Sequence, residues 1–150
     1  MEIKNNFLTI LLLVSVFAVA THLIVGNNYA EAATVKTEKL GSGHLTCKDG
    51  TKLKIEDVEL DAKTDTEGKW SGTLSISESS QGADWKINEG KLSGEKYEFK
   101  TTAEDTTGDC PDEKGTKATV KGSCGDDVSI KLESEVGTVY DAKATVKCTQ

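Results

Sequence analysis

Four cysteines carry the clearest chemistry in this chain. Cys47, Cys110, Cys124 and Cys148 lie 63, 14 and 24 residues apart by position. A structural zinc site needs ligands at short paired spacing such as C-x₂-C, and these intervals supply none. An even set of widely spaced cysteines reads instead as two disulfides in an exported protein. A nucleophilic thiol is disfavoured for the same reason, since it would be oxidised in that compartment.

Other reactive side chains are harder to assemble. Beyond residue 32 the chain has one histidine, His44, in the run Gly41-Ser42-Gly43-His44. Ser42 is near it, but a nucleophile elbow requires G-x-S-x-G on a strand-to-helix turn, so His44 reads as an ordinary strand residue. Acidic residues abound, yet no pair is singled out for glycoside hydrolysis, and five aromatics after Ala32 are few for a sugar cleft. Glu104, Asp105, Asp109, Asp112 and Glu113 have the oxygen chemistry calcium prefers, as do Asp61, Asp65 and Glu67. Neither set has the D-x-[DN]-x-[DN]-G spacing, and solvated charged loops are the expectation. Lysines beside acids suggest isopeptide cross-links by type, but no spacing identifies one. The sequence therefore predicts no catalytic residue, no metal ligand and no cofactor.

The disulfide reading depends on export, and the N-terminus supplies the signal. Lys4 precedes the apolar run Phe7–Val25, which leads into Ala30-Glu31-Ala32, an A-x-A cleavage pattern. Residues 1–32 are expected to be a secretory signal peptide. The rival is an uncleaved anchor, because the run approaches the ~20 residues of a spanning helix, although Thr21 and His22 interrupt it. Both readings export residues 33–150 as a single domain, secreted or held at the cell surface.

Charge narrows the partners. The formal charge is −7, and losing Glu2, Lys4 and Glu31 would leave about −6. That balance argues against nucleic acid and anionic lipid surfaces. Lysine supplies all the positive charge, so no bidentate guanidinium clamp exists. Leu, Ile, Val and Phe form about 16% of residues 33–150, a thin core by composition. They alternate with polar residues, which argues for strands over disorder.

The alternation predicts an all-β, antiparallel meander of about eight strands, barrel or sandwich. The candidates are Val35–Cys47, broken by Gly41-Ser42-Gly43, then Thr51–Ala62, Trp70–Ser77 and Trp85–Leu92. Tyr97–Thr101, Ala118–Cys124, Val128–Leu132 and Tyr140–Cys148 complete the set. Asp49-Gly50 predicts a type I′ hairpin, and Gln81-Gly82, Ser93-Gly94, Gly125-Asp126 and Val136-Gly137 further turns. Residues 104–115 read as a loop. Leu53 and Ile55 alternate in one phase, Val58 and Leu60 in the other, which predicts a bulge at Glu56-Asp57.

In such a meander Cys124 and Cys148 end strands that run the same way, while Cys47 and Cys110 lie at the opposite end. Bridging Cys110 to Cys124 would take the loop back along a strand, about 26 Å at ~3.3 Å per residue. The expected pairs are Cys47 with Cys110 and Cys124 with Cys148.

Two resemblances add to this reading. Gly68-Lys69-Trp70 at a strand start resembles the G-x-W of lipocalins, eight-stranded barrels holding a small apolar ligand. Lipocalins place the motif on their first strand and pack an arginine over the tryptophan, whereas two strands precede it here and no arginine exists. Both Trp70 and Trp85 read as core anchors. At domain level, Thr46-Cys47-Lys48-Asp49-Gly50, Gly122-Ser123-Cys124-Gly125 and Val146-Lys147-Cys148 look like small exported archaeal β-proteins, a resemblance that implies fold and compartment but no activity. The functional expectation is a non-enzymatic structural or protein-binding module of the cell surface with a protein or surface partner. A ligand-holding barrel and an exported carboxylate-dependent hydrolase are the alternatives.

Overall fold

Turn chemistry sets the architecture. In a computed structural model of the chain, which describes residues 32–78, 81–106, 110 and 114–150, three hairpins use one design. The N–H of Gly50, Gly68 or Gly137 donates to the carbonyl three residues back, at 2.9, 3.1 and 3.0 Å. Each of these glycines has positive φ, at 89°, 80° and 90°. This is a type I turn followed by a left-handed residue, the geometry of a three-residue hairpin with a G1 bulge. The type I′ expectation at Asp49-Gly50 is therefore corrected, because Asp49 does not take positive φ. Its carboxylate instead accepts the N–H of Thr51 at 2.9 Å and holds the turn right-handed.

Eight strands result: β1 Thr34–Thr46, β2 Lys52–Thr64, β3 Trp70–Glu78, β4 Gln81–Ser93, β5 Lys96–Thr106, β6 Lys117–Ser123, β7 Gly125–Ser134 and β8 Val139–Thr149. Each pairs antiparallel with the next, and β8 pairs back onto β1, so the meander closes into a barrel rather than a sandwich. Closure removes every free sheet edge. Disulfides join Cys47 to Cys110 and Cys124 to Cys148, as strand direction requires.

Several local expectations shift. β1 is continuous through Gly41-Ser42-Gly43, although its register against β8 slips twice between Thr37 and Ser42. Along the same stretch β1 parts from β2, and Thr37 bridges the gap. Its Oγ1 accepts the Leu60 N–H at 3.1 Å and faces the Leu60 carbonyl at 3.4 Å. The Glu56 bulge is present, as the shift between Ile55 and Asp57 against β3. Gln81 and Gly82 are paired residues of β4, not a turn, because Gln81 faces Glu78 directly. Glu104 and Asp105 belong to β5, which runs on past the apolar residues because β4 extends beside it. Gly125-Asp126 forms a bulge opening β7, with positive φ at Gly125 and Asp127. Residues 1–31, which include Phe7–Val25 and all of the proposed signal but Ala32, lie outside the described residues, as do Asp109, Asp112 and Glu113.

All five aromatics after residue 32 point inward and are buried. Trp70 packs on Phe99 with ring centroids 5.0 Å apart, and Tyr97 stacks on Phe99 at 5.3 Å. Trp85 meets Tyr140 edge-on at 6.0 Å. These large rings fit because small residues face them. A side chain at Gly90 would strike Phe99, and one at Gly122 would strike the Tyr97 phenol. The rings also answer the thin composition of the core, since an aromatic buries ~150–250 Å². Outward positions carry lysines, acids, serines and threonines. A lipid-spanning barrel shows the reverse, an apolar band on its outer wall.

Candidate binding groove

The outer wall offers sites wherever short side chains lie between long ones. On β1 the outward residues Ser42, His44 and Thr46 form a floor. Register supplies the walls. Thr46 lies between Lys52 of β2 and Val139 of β8, and His44 lies between Lys54 and Asp141. Ser42 pairs with Lys143 of β8. The result is an open groove of about 660 Å³ running along β1. Its walls stand two strand spacings apart, about 9.5 Å.

The electrostatics of this groove follow from its lysines. Ion pairs decorate the barrel, among them Lys36–Asp61, Lys100–Glu89, Lys121–Glu98, Lys131–Asp141 and Lys147–Glu38, at 3.4–3.9 Å. All join partly or largely exposed side chains, and each is worth about 0–1 kcal/mol. Lys52, Lys54 and Lys143 take part in none of them. Asp141, the one acid lining the groove among the described residues, is turned away. Its Oδ1 accepts the Ser129 hydroxyl at 3.1 Å and its Oδ2 faces Lys131 at 3.9 Å. Val139 adds a second distinction, being the one large hydrophobic side chain exposed among the described residues, at 36%.

A similar groove of about 640 Å³ over β4–β7 lacks this character. Three of its four lysines, Lys100, Lys121 and Lys131, are ion-paired, and Glu89, Glu133 and Glu135 line it too.

By residue type, Ser42, His44 and Asp141 suggest a hydrolytic triad. The geometry does not assemble one. His44 makes no hydrogen bond to either residue, Asp141 is committed to Ser129 and Lys131, and the floor is open strand rather than a turn that aims backbone N–H groups at an oxyanion. What the groove can do is attract negative charge and hydrogen-bond to it.

The remaining sequence candidates fall elsewhere. Asp61 pairs with Lys36, and Asp65 Oδ1 accepts the N–H groups of Glu67 and Lys69 at 2.9 Å each. Those bonds, that of Lys69 first, hold the Asp65 carboxyl below its usual range. The Thr51 backbone and hydroxyl do the same for Asp49. Trp70 and Trp85 are core residues, 7% and 0% exposed. Inside the barrel, Trp85 Nε1 and Tyr97 Oη are buried without hydrogen-bond partners, as is Thr138 Oγ1. Burial pushes the Tyr97 phenol well above its ordinary range.

Sequence reasoning found His44 but missed Lys52, Lys54, Val139 and Lys143. The hairpin at Asp49-Gly50 places Lys52 and Lys54 beside Thr46 and His44, while Val139 and Lys143 reach them only through barrel closure, which lays β8 beside β1 across about a hundred residues of chain. Comparison with known proteins finds no matching family model, curated protein or solved structure.

Proposed function

We propose that the barrel is an exported, non-enzymatic module of the cell surface that acts by binding a partner through its polar outer wall. Two disulfides fit the oxidising environment outside the cytoplasm. The N-terminal segment serves as its export signal, or as an anchor if it is retained. The observation that carries the reading is the division of side chains. The aromatics fill the interior, while the groove on β8–β1–β2 keeps three lysines clear of ion pairs. Binding, rather than reaction, suits a groove whose histidine has no orienting partner.

One observation favours a second reading, a barrel that holds a small ligand. The buried Trp85 Nε1–H and Tyr97 Oη–H are donors that a ligand carbonyl inside the barrel would satisfy. Fluorescence separates the two. A surface module leaves Trp70 and Trp85 emission unchanged when hydrophobic probes are titrated in, whereas an interior ligand quenches it. Cross-linking on intact cells then tests the first reading directly, and failure to recover any partner at any face of the barrel counts against it.

A further inference from the structure

We infer that the β8–β1–β2 groove receives an extended, acidic segment of a partner protein. This rests on the reading of the chain as a binding module and names the occupant of its groove. Three features point to that occupant. The first is charge complementarity, since Lys52, Lys54 and Lys143 stand in the walls without ion-pair partners and the lining acid Asp141 is held by Ser129 and Lys131.

The second feature is dimension. The rows Lys52–Thr46–Val139, Lys54–His44–Asp141 and Ser42–Lys143 follow one another every second residue of β1, about 6.7 Å apart. An extended peptide repeats its same-face side chains at the same interval, and the gap between the walls has the width of one such strand. Lys52 and Lys54 stand two residues apart on β2, and Lys143 stands across the groove on β8. A segment bearing acids at alternate positions matches that two-residue spacing along β2.

The third feature is Val139, the exposed apolar side chain at the end of the groove nearest the β7–β8 turn. A peptide offers it an apolar neighbour. A charged polysaccharide does not. No exposed aromatic exists among the described residues on which a sugar ring or a base would stack. The net charge of −7 opposes an acidic partner at long range, but at physiological salt that repulsion is screened beyond about 8 Å while contacts at the groove remain.

The experiment uses the intact, oxidised protein and a fluorescein-labelled decapeptide of alternating Glu and Ser with one central Leu, followed by anisotropy. Controls are a Gly/Ser peptide of equal length, a Lys-rich peptide and a sulfated polysaccharide. The acidic peptide is expected to bind, and the double variant Lys54→Glu/Lys143→Glu to weaken it by about tenfold, from two lost exposed ion pairs and the like-charge repulsion that replaces them. Lys117→Glu, on the β4–β7 wall, leaves binding unchanged, and Val139→Ser weakens it about threefold, as loss of small apolar contacts does. All the substituted side chains are exposed, so unchanged near-UV circular dichroism verifies the fold of each variant. Equal binding to wild type and the double variant would overturn the inference. So would binding of the polysaccharide without the peptide, or sensitivity to Lys117→Glu alone. A cell-surface partner cross-linked through another face would sink this inference and leave the module reading standing.

Discussion

Removing a hydroxyl from the core is expected to stabilise this protein. Tyr97 is 3% exposed, and its Oη lies over Gly122 without a hydrogen-bond partner. A buried polar group left unpaired costs about 1–3 kcal/mol. Tyr97→Phe removes that cost and keeps the ring stacked on Phe99, where the two planes lie 19° apart. The lost oxygen leaves a void of roughly 10–15 Å³, which returns only about 0.3 kcal/mol at ~24 cal/mol per Å³. The net gain is about 1 kcal/mol or more, a rise in Tm of about 3–6 °C for a domain of this size. The same residue sets part of the alkaline limit. Its folded pKa lies above the unfolded value of 10.0, so the native state keeps a proton that the unfolded chain loses. Stability therefore falls as pH rises above 10.0, by about 1.4 kcal/mol per unit for this one group, and Tyr97→Phe abolishes that contribution. Thermal and urea unfolding of both proteins at pH 7 and pH 11 measure the two effects. A lower Tm for Tyr97→Phe at pH 7 would show that the hydroxyl has an acceptor, and the reasoning fails.

Three further outcomes follow from the fold. Replacing Cys124 and Cys148 by Ser should cost about 3.5 kcal/mol from the chain entropy of a ~25-residue loop, and Cys47 and Cys110 about 4.3 kcal/mol from one of ~64, both read by urea unfolding. Thr37→Val should lower stability by about 1–3 kcal/mol, because the buried Leu60 N–H loses its acceptor, while Thr37→Ser retains most of it. On acidification, the Asp49 and Asp65 turn caps contribute fully above pH 3.8 and lose that contribution as pH falls through their lower folded values. Asp65→Asn should flatten the fall of Tm between pH 5 and pH 2 relative to wild type, and an identical slope would refute the cap's role.

Strand content was legible in this sequence because the barrel wall is wet on one side. Leu74 and Ile76 alternate with Ser75 and Ser77, and that period of two is the direct imprint of one buried face. The bulge at Glu56 was legible for the same reason, as a change of phase. Strand direction then fixed the disulfide pairs, since a meander leaves Cys47 and Cys110 at one end and Cys124 and Cys148 at the other. Turn type was less accessible. Asp49-Gly50 suits two hairpin geometries, and the choice rests on where the Asp49 carboxylate finds its donor. The turn misplaced at Gln81-Gly82 shows how glycine misleads when it sits in a paired strand. The groove was the least legible feature. Its lysines are unremarkable in a chain where lysines stand on most strands, and only the register of β8 against β1 brings Val139 and Lys143 beside the residues of the first hairpin.

The two disulfides also change how the module bears load. Tension applied between Ala33 and Gln150 follows the shortest covalent route, from Ala33 to Cys47, across to Cys110, on to Cys124, and across again to Cys148. That route holds roughly 33 residues, or about 110 Å at ~3.4 Å per residue, against about 400 Å for the whole stretch of chain. The long segments between Cys47 and Cys110 and between Cys124 and Cys148 hang outside the loaded path. Pulled at its ends, the barrel yields a short tether whose remaining strands carry no force and stay covalently beside it, ready to re-form the sheet when the pull is released.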